Sequence, residues 1–274
     1  MATIIIPAHN EATVIERCID SVIGQDQADT IIVACNGCTD NTVELVRNKY
    51  PTIICLDIEK ASKTNALNVA EEHITSYPIF YLDADTQLGQ GDVAKISAHF
   101  ENNTTLLAAP TPNINTDNSS WLVKQYYKVW LKLPYISDGV IGTCSFIMNK
   151  EGRARFDSFP DIINDDGYVR CCFESTERQN IANTTIHIQA PKDLYSLIKI
   201  KSRARLGNMQ LNHLKLCHKP KEANYRSSLS EKLFSKQFIA TSVYIAIALL
   251  IRMRAKSQLN NIDSYTWEKD LSSR

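Results

Sequence analysis

Asp83 and Asp85 stand two residues apart in the run Phe80-Tyr-Leu-Asp-Ala-Asp-Thr86. The residues before them, 79–82, are apolar and β-prone, so both carboxylates are expected at the carboxyl end of a buried strand. Carboxylate ligands there suit a hard divalent cation, and a bound cation can neutralise a diphosphate. Two acids at this spacing are also a common surface turn, so the triplet needs support from the rest of the chain.

That support comes from the elements that must position it. Residues 3–6 read as a short strand stopped by Pro7, and 11–22 carry Val14, Ile15, Cys18, Ile19 and Val22 at helical spacing. Residues 29–35 read as a second strand ended by Asn36-Gly37, followed by a helix with Thr39 or Asp40 as its cap. A strand over 51–57, a helix over 64–74 and a strand over 78–82 complete an alternating series. Such a series predicts a mainly parallel sheet with helices on both faces. Sites in such sheets lie beyond the strands' carboxyl ends. The polar clusters 8–11, 36–40, 60–63 and 83–85 all fall there.

Further on, 106–109 is a candidate strand, 113–119 a polar loop and 120–133 an aromatic-rich helix. Residues 139–148 form a glycine-punctuated candidate strand, 156–166 an irregular acidic stretch, and 167–173 a helix or strand. Residues 181–189 alternate as a strand, and 193–216 read as a long basic helix. The segment 238–251 holds 14 mostly apolar residues, short of the roughly 20 needed to span a bilayer. It is read as a buried, partner or in-plane membrane helix.

The 274 residues can bury a full α/β core, and 44% apolar with 22% charged residues is an ordinary globular composition. The formal net charge of 0 gives no reason to expect a nucleic acid partner. Between Lys199 and Lys256 there are 13 Lys/Arg against Glu222 and Glu231. That is either a solvated helical face or a surface that meets anionic lipid or a phosphorylated acceptor. The first residues lack a basic segment and a cleavage site, so they read as mature structure. The eight cysteines are read as mostly reduced core thiols of a cytoplasmic protein.

Five segments, in order, resemble a family 2 glycosyltransferase. They are Ile5-Ile-Pro-Ala-His-Asn-Glu11, Ala34-Cys-Asn-Gly-Cys-Thr-Asp-Asn-Thr42, Ser62-Lys-Thr-Asn-Ala-Leu-Asn68, Tyr81-Leu-Asp-Ala-Asp-Thr86 and Asn164-Asp-Asp-Gly-Tyr-Val169. The resemblance, nearest to bacterial enzymes of polysaccharide or glycoside biosynthesis, implies the α/β GT-A fold, a Rossmann-like mainly parallel sheet flanked by helices, with a helical C-terminal extension. The catalytic domain is expected over 1–195 and the basic helical segment over 196–274.

By resemblance, Pro7, Ala8, His9 and Glu11 contact a uridine nucleotide, while Asn10 stays open as a helix cap and Glu11 as a first-turn acid. Asn36 stands where relatives carry an aspartate that reads the pyrimidine, and an amide still donates and accepts. Asp40 is a helix cap or a nucleotide contact. Lys63 approaches the donor phosphates or steadies the acidic cluster, and Asn68 ties loop backbone. The resemblance puts Asp83 near the ribose and metal-bound water, followed by Ala84, and makes Asp85 the direct ligand of Mn2+ or Mg2+. Asp166 matches the inverting general base, with Asp165 its rival and Asp161 weaker. Arg203 and Arg205 fall near a diphosphate-contacting motif, although Gln-x-x-Arg-Trp is absent. Gly142 and its neighbours would admit a sugar closely, and Trp267 would anchor the tail.

The expected activity is inverting transfer of one sugar from a nucleoside-diphosphate sugar, UDP-sugar favoured, to a hydroxyl of a glycan, lipid-linked or small glycoside acceptor. Peripheral membrane contact at the inner face of the cell membrane and a homodimer are compatible with the sequence. A nucleotidyltransferase is the rival enzyme class, but it expects a glycine-rich loop with Arg and Lys after the first strand. A noncatalytic sugar-nucleotide module is the third reading, opposed by Asp83, Asp85 and Asp166.

Overall fold

The computed structural model describes residues 1–133, 136, 143–217, 237–262, 265, 268–270 and 272–273. Strand β1 (Ala2–Ala8) is buried at every position, because its apolar run is covered on both faces. It pairs in parallel with β2 (Ala28–Asn36) on one side and β4 (Ile79–Leu82) on the other, and β2 pairs in parallel with β3 (Ile54–Ile58). Between them run α1 (Ile15–Val22), α2 (Thr42–Lys49) and α3 (Lys63–Glu71). Helix α1 turns Ile15, Cys18, Ile19 and Val22 inward. Ser62 starts α3 by accepting the Asn65 N–H at 3.3 Å.

The sheet continues with β5 (Thr86–Leu88), β6 (Leu107–Asn115), β7 (Ser145–Met148) and β8 (Arg178–Gln189) in the order β3-β2-β1-β4-β7-β6-β8-β5. The pairs β4–β7, β6–β7 and β5–β8 are antiparallel. Helix α4 (Asp92–Asn102) buries Val93 and Ile96. β5 and α4 have no counterpart in the sequence reading. β5 is only three residues long and exists through pairing Thr86 with the distant Ile188. Helices α5 (Trp121–Trp130), α6 (Lys150–Arg153), α7 (Asp165–Cys171), α8 (Leu194–His213) and α9 (Phe238–Leu259) complete the regular elements.

The chain divides into two compact units, Met1–Asn113 with Gly139–Asp161 and Cys172–Ile188, and Ile114–Asp138 with Ile162–Cys171 and Gln189–Arg274. The first is the sheet with its flanking helices. In the second, α9 packs on α5 and α8, and Tyr126 of α5 meets Tyr244 of α9 with ring centroids 5.1 Å apart.

Four expectations change. The loop expected from 113 onward begins later, because β6 runs to Asn115 with alternating exposed positions. Helix α1 begins at Ile15, so Asn10 does not cap it; Glu11 instead offers its carbonyl to the N–H groups of Val14 and Ile15, both at 2.9 Å. The apolar stretch 238–251 is part of a 22-residue helix, long and apolar enough by composition to cross a membrane. The helix continues because Arg252, Met253, Arg254, Ala255 and Lys256 are all good helix formers. A third (33%) of its most apolar window is buried inside the protein. Cys171 and Cys217 form a disulfide with Cα atoms 5.3 Å apart, so not all the thiols are reduced. Of the six cysteines outside it, only Cys18 and Cys35 are buried. Gly142 and Trp267 lie outside the described residues.

Candidate functional site

Parallel register brings three strand ends to one edge. Ala8 of β1 stands beside Cys35 of β2, and Ile5 beside Tyr81 of β4. The loops leaving those ends are joined by side-chain to backbone hydrogen bonds. His9 Nδ1 lies 2.6 Å from the Asn36 carbonyl, which makes Nδ1 the protonated nitrogen. Asn36 is buried, and its amide Nδ2 donates to the carbonyls of Ala8 at 2.9 Å and Ala34 at 3.3 Å. Its NH2 group is therefore committed within the protein, leaving Oδ1 as its acceptor.

Asn10 adopts φ 54°, and its Oδ1 accepts the N–H groups of Thr39 at 2.7 Å and Asp40 at 3.2 Å. Asp40 Oδ1 accepts from Thr42 N at 3.0 Å, and Oδ2 accepts from Ala12 N at 3.3 Å. Asp40 thus steadies the start of α2 and clasps the first loop. Glu11 is buried, and its N–H donates to Thr42 Oγ1 at 2.9 Å. Gly37, at φ +56°, turns the second loop where an added Cβ would fall 2.6 Å from Ala61 Cβ and 2.8 Å from Ala61 Cα. Pro7 pairs with Ala34 within the sheet.

β4 then delivers the acids. Asp83 N–H donates to the Cys144 carbonyl at 3.0 Å, and the Asp83 carbonyl accepts Thr86 Oγ1 at 2.8 Å. This turn holds Ala84 buried between two half-buried carboxylates. Lys63, at the first position of α3, places Nζ 2.7 Å from Asp83 Oδ1, with side chains 24% and 34% exposed. Both remain within reach of solvent and a ligand. Burial pushes the Cys18 thiol up, and the Asp85 and Asp83 charges add to the rise. No cluster of three or more His, Cys, Asp or Glu suited to a metal occurs among the described residues. Two carboxylates still fit a cation that takes its remaining oxygens from diphosphate and water. Asn68 ties backbone, as expected: it donates to the Phe159 carbonyl at 3.0 Å and accepts the Phe159 N–H at 2.8 Å. Asp161 is exposed and pairs with Lys60 at 3.5 Å.

The second unit carries the other acids on the first turn of α7. Asp165 is buried, and Asp166 is half-buried with Oδ1 accepting the Gly167 N–H at 2.7 Å. The turn is fixed from α8. Gln210 Oε1 accepts the Ile163 N–H at 2.8 Å, Asn164 Nδ2 donates to Asn208 Oδ1 at 3.1 Å, and Gly207 lets Asn164 approach. A Cβ on Gly207 would lie 2.5 Å from Asn164 Cβ. Cys171 at the end of α7 is bridged to Cys217 just beyond α8. Arg203 donates to the Glu268 carbonyl at 2.7 Å, holding the tail, and Arg205 is exposed on α8.

A family model for glycosyl transferase family 2 matches residues 3–151, more than half of the chain. The chain belongs to glycosyl transferase family 2. Chondroitin synthase of Pasteurella multocida (strain Pm70) is 31% identical over 131 residues. That match covers 46% of this chain and 14% of the synthase, so this family 2 chain corresponds to a small part of that relative. In fold it resembles a mannosyltransferase, PcManGT from Pyrobaculum calidifontis, in complex with GDP-Man and Mn2+, with TM-score 0.61, 17% identity, and 97% of this chain and 76% of that one covered. It also resembles S. aureus TarS 1-349 in complex with UDP-GlcNAc, with TM-score 0.55, 11% identity, and coverage of 100% and 95%. These neighbours establish the GT-A architecture for this family 2 chain.

The structure brings Ala8, His9 and Asn36 together, Glu11 and Asp40 around Thr42, and Lys63 against Asp83. Asp165, Asp166, Arg203 and Arg205 belong to the second unit, and all four lie beyond the stretch matched to family 2. The sequence reading missed one group. Cys35 belongs to the buried core cluster, and Cys38 and Cys55 both pack against it. The signal was present as the C-x-x-C spacing of Cys35-Asn36-Gly37-Cys38.

Proposed function

We propose that this protein transfers a single sugar from a nucleoside-diphosphate sugar, UDP-sugar first, to a hydroxyl of a glycan, lipid-linked or small glycoside acceptor, with inversion at the anomeric carbon. The observation that carries this reading is the Lys63–Asp83 pair beside Asp85, at the strand edge that also bears the Ala8–Glu11 loop. Pro7, Ala8, His9, Glu11, Asn36 and Asp40 would form the nucleotide side. His9 has a ring face for a base, and the Asn36 Oδ1 acceptor would meet a base or ribose donor. Lys63 would move between Asp83 and the donor phosphates, following the larger negative charge.

Asp85, with Asp83 behind it, would hold Mn2+ or Mg2+, and Mn2+ accompanies the donor in the PcManGT complex. When bound, the cation offsets the negative charge that grows on the departing diphosphate. Asp166 would take the proton of the acceptor hydroxyl as its oxygen attacks the anomeric carbon. Arg203 and Arg205 are reserved as candidate diphosphate contacts. The basic α8 and apolar α9 support a peripheral site beside a lipid-linked acceptor at the inner membrane face.

The test is donor hydrolysis and transfer by the full chain with UDP-GlcNAc, other UDP-sugars and GDP-Man, each with Mn2+ or Mg2+ and with a chelator. Metal-dependent product with the opposite anomeric configuration supports the reading. Donor binding without turnover on any acceptor series would instead favour a noncatalytic module. Flotation with anionic liposomes tests the membrane part, and salt-sensitive binding is expected.

A further inference from the structure

Three cysteines pack on one core beside the first two loops. Cys35 is buried one residue before the end of β2, and half-buried Cys38 and Cys55 pack against the same core. Ala8 stands beside Cys35 in the sheet register, and Cys55 lies on the adjacent strand β3. Only Asn36-Gly37 separates Cys35 from Cys38, and Gly37 is already turned back in the left-handed region. Cys38 Sγ accepts the Asn10 N–H at 3.4 Å and, as a thiol, donates to the Ala8 carbonyl at 3.5 Å. One sulfur therefore fastens the second loop to the first.

We propose that Cys35 and Cys38 form an oxidisable dithiol site, which a hydroperoxide converts into a disulfide that releases Cys38 from Asn10 and Ala8. Its consequence for sugar transfer rests on the donor-loop reading above; the thiol chemistry does not. Strand register selects the pair. Val33 stands beside Cys55 and Cys35 beside Asp57, so Cys35 and Cys55 are diagonal neighbours across β2 and β3. With strands ~4.8 Å apart and a rise of ~3.3 Å per residue, their Cα atoms lie roughly 8 Å apart, beyond the ~7 Å limit for a bridge without backbone movement. Cys38, just past the left-handed Gly37, instead reaches the carbonyl of Ala8, which stands beside Cys35.

The roles of the two sulfurs differ. The bond from Cys35 pulls the Cys38 thiol down to about 6 against its burial; the Asn10 N–H and His9 also lower it, and Asp40 opposes them. Cys55 is brought to about 7, chiefly by the same Cys35 thiol, with Arg47 assisting against burial and Asp57. The bonds to Cys38 and Cys55, together with burial, push Cys35 well up. Cys38 is accordingly the attacking thiolate and Cys35 the resolving thiol. The Cys38 sulfur attacks one peroxide oxygen, the O–O bond breaks, and the leaving oxide takes a proton. Cys35 sulfur then attacks Cys38 Sγ, the S–O bond breaks, and the departing hydroxide carries off the Cys35 proton as water. Two thiols lose two electrons, and the peroxide is reduced to two waters (or one water and one alcohol).

The experiment treats the reduced full chain with hydrogen peroxide and maps its peptides without reduction. The expected product lacks two hydrogens across the segment holding Cys35 and Cys38, and a dithiol reductant restores them. With limiting iodoacetamide at pH 7, Cys38 should react about tenfold faster than Cys144 or Cys172, since a lowered thiol is mostly thiolate there. Faster amide exchange at Asn10 after oxidation is the expected loop signature. Cys38→Ser should abolish the bridge, while Cys55→Ser should leave it. A Cys35–Cys55 bridge, oxidation of Cys38 alone to its sulfinic acid, or equal reactivity of Cys38, Cys144 and Cys172 would overturn the proposal. Nucleotide binding is measured alongside. Disulfide formation in a protein that never binds nucleotide sinks only the donor-loop reading, whereas nucleotide binding without a bridge sinks only this one.

Discussion

The two acid-bearing regions are built differently. Asp83 and Asp85 end a parallel strand, and their surroundings come from the loops of the neighbouring strands. The clasping groups Asn10, Asp40 and Thr42 are short polar side chains that each serve backbone of the neighbouring loop. Asp165 and Asp166 open a seven-residue helix too short to stand alone. That helix is held by Gln210, Asn208, the gap at Gly207 and the Cys171–Cys217 bridge. One region is specified by strand order, the other by ties to a distant helix.

The comparison is tested most severely at the acids themselves. Asp85→Ala is expected to abolish metal-dependent donor use in a protein with an unchanged circular dichroism spectrum. Full turnover of that variant in chelator would remove the metal from the reading. Asp166→Asn should keep donor binding and slow transfer by about 10²–10⁴-fold, the usual span for a positioned general base. If Asp165→Asn produces that loss and Asp166→Asn does not, the two exchange roles.

Smaller effects probe the supports. Cys217→Ser opens a bridge spanning 46 residues and should lower the unfolding free energy by about 2–4 kcal/mol, read by urea titration. If α7 depends on that tie, kcat should fall while donor affinity holds. A fall in donor affinity alone would show that the ties of the second region serve the first. Gly37→Ala forces a side chain onto Ala61 at a left-handed φ and should cost about 1–3 kcal/mol. It should raise the donor Kd more than it lowers kcat, and the reverse split would blur the distinction between the regions.

Much of the first region was legible because its signals are local. Short apolar runs and helical spacing marked β1 to β4 and α1 to α3, and parallel-sheet topology put every intervening polar cluster at one edge. Its hydrogen bonding was less legible. Asn10 promised a helix cap and instead holds the Thr39–Asp40 backbone, because α1 starts later. Asn36 commits its NH2 group to Ala8 and Ala34, a choice that depends on two strands lying side by side.

By itself, the sequence determined the strand–helix alternation, the Asp83–Ala84–Asp85 turn and the family, since each depends on residues near one another in the chain. Tertiary structure alone decided that β5 pairs with β8, that Cys171 finds Cys217, and that Cys35, Cys38 and Cys55 pack on one core. It also decided that Arg254 of α9 meets Glu268, 2.8 Å from Nη1 to Oε2. These outcomes bring together groups whose separation along the chain carries no pattern. Such contacts form only where the burial of other residues has already repaid the entropy of closing the loops between them.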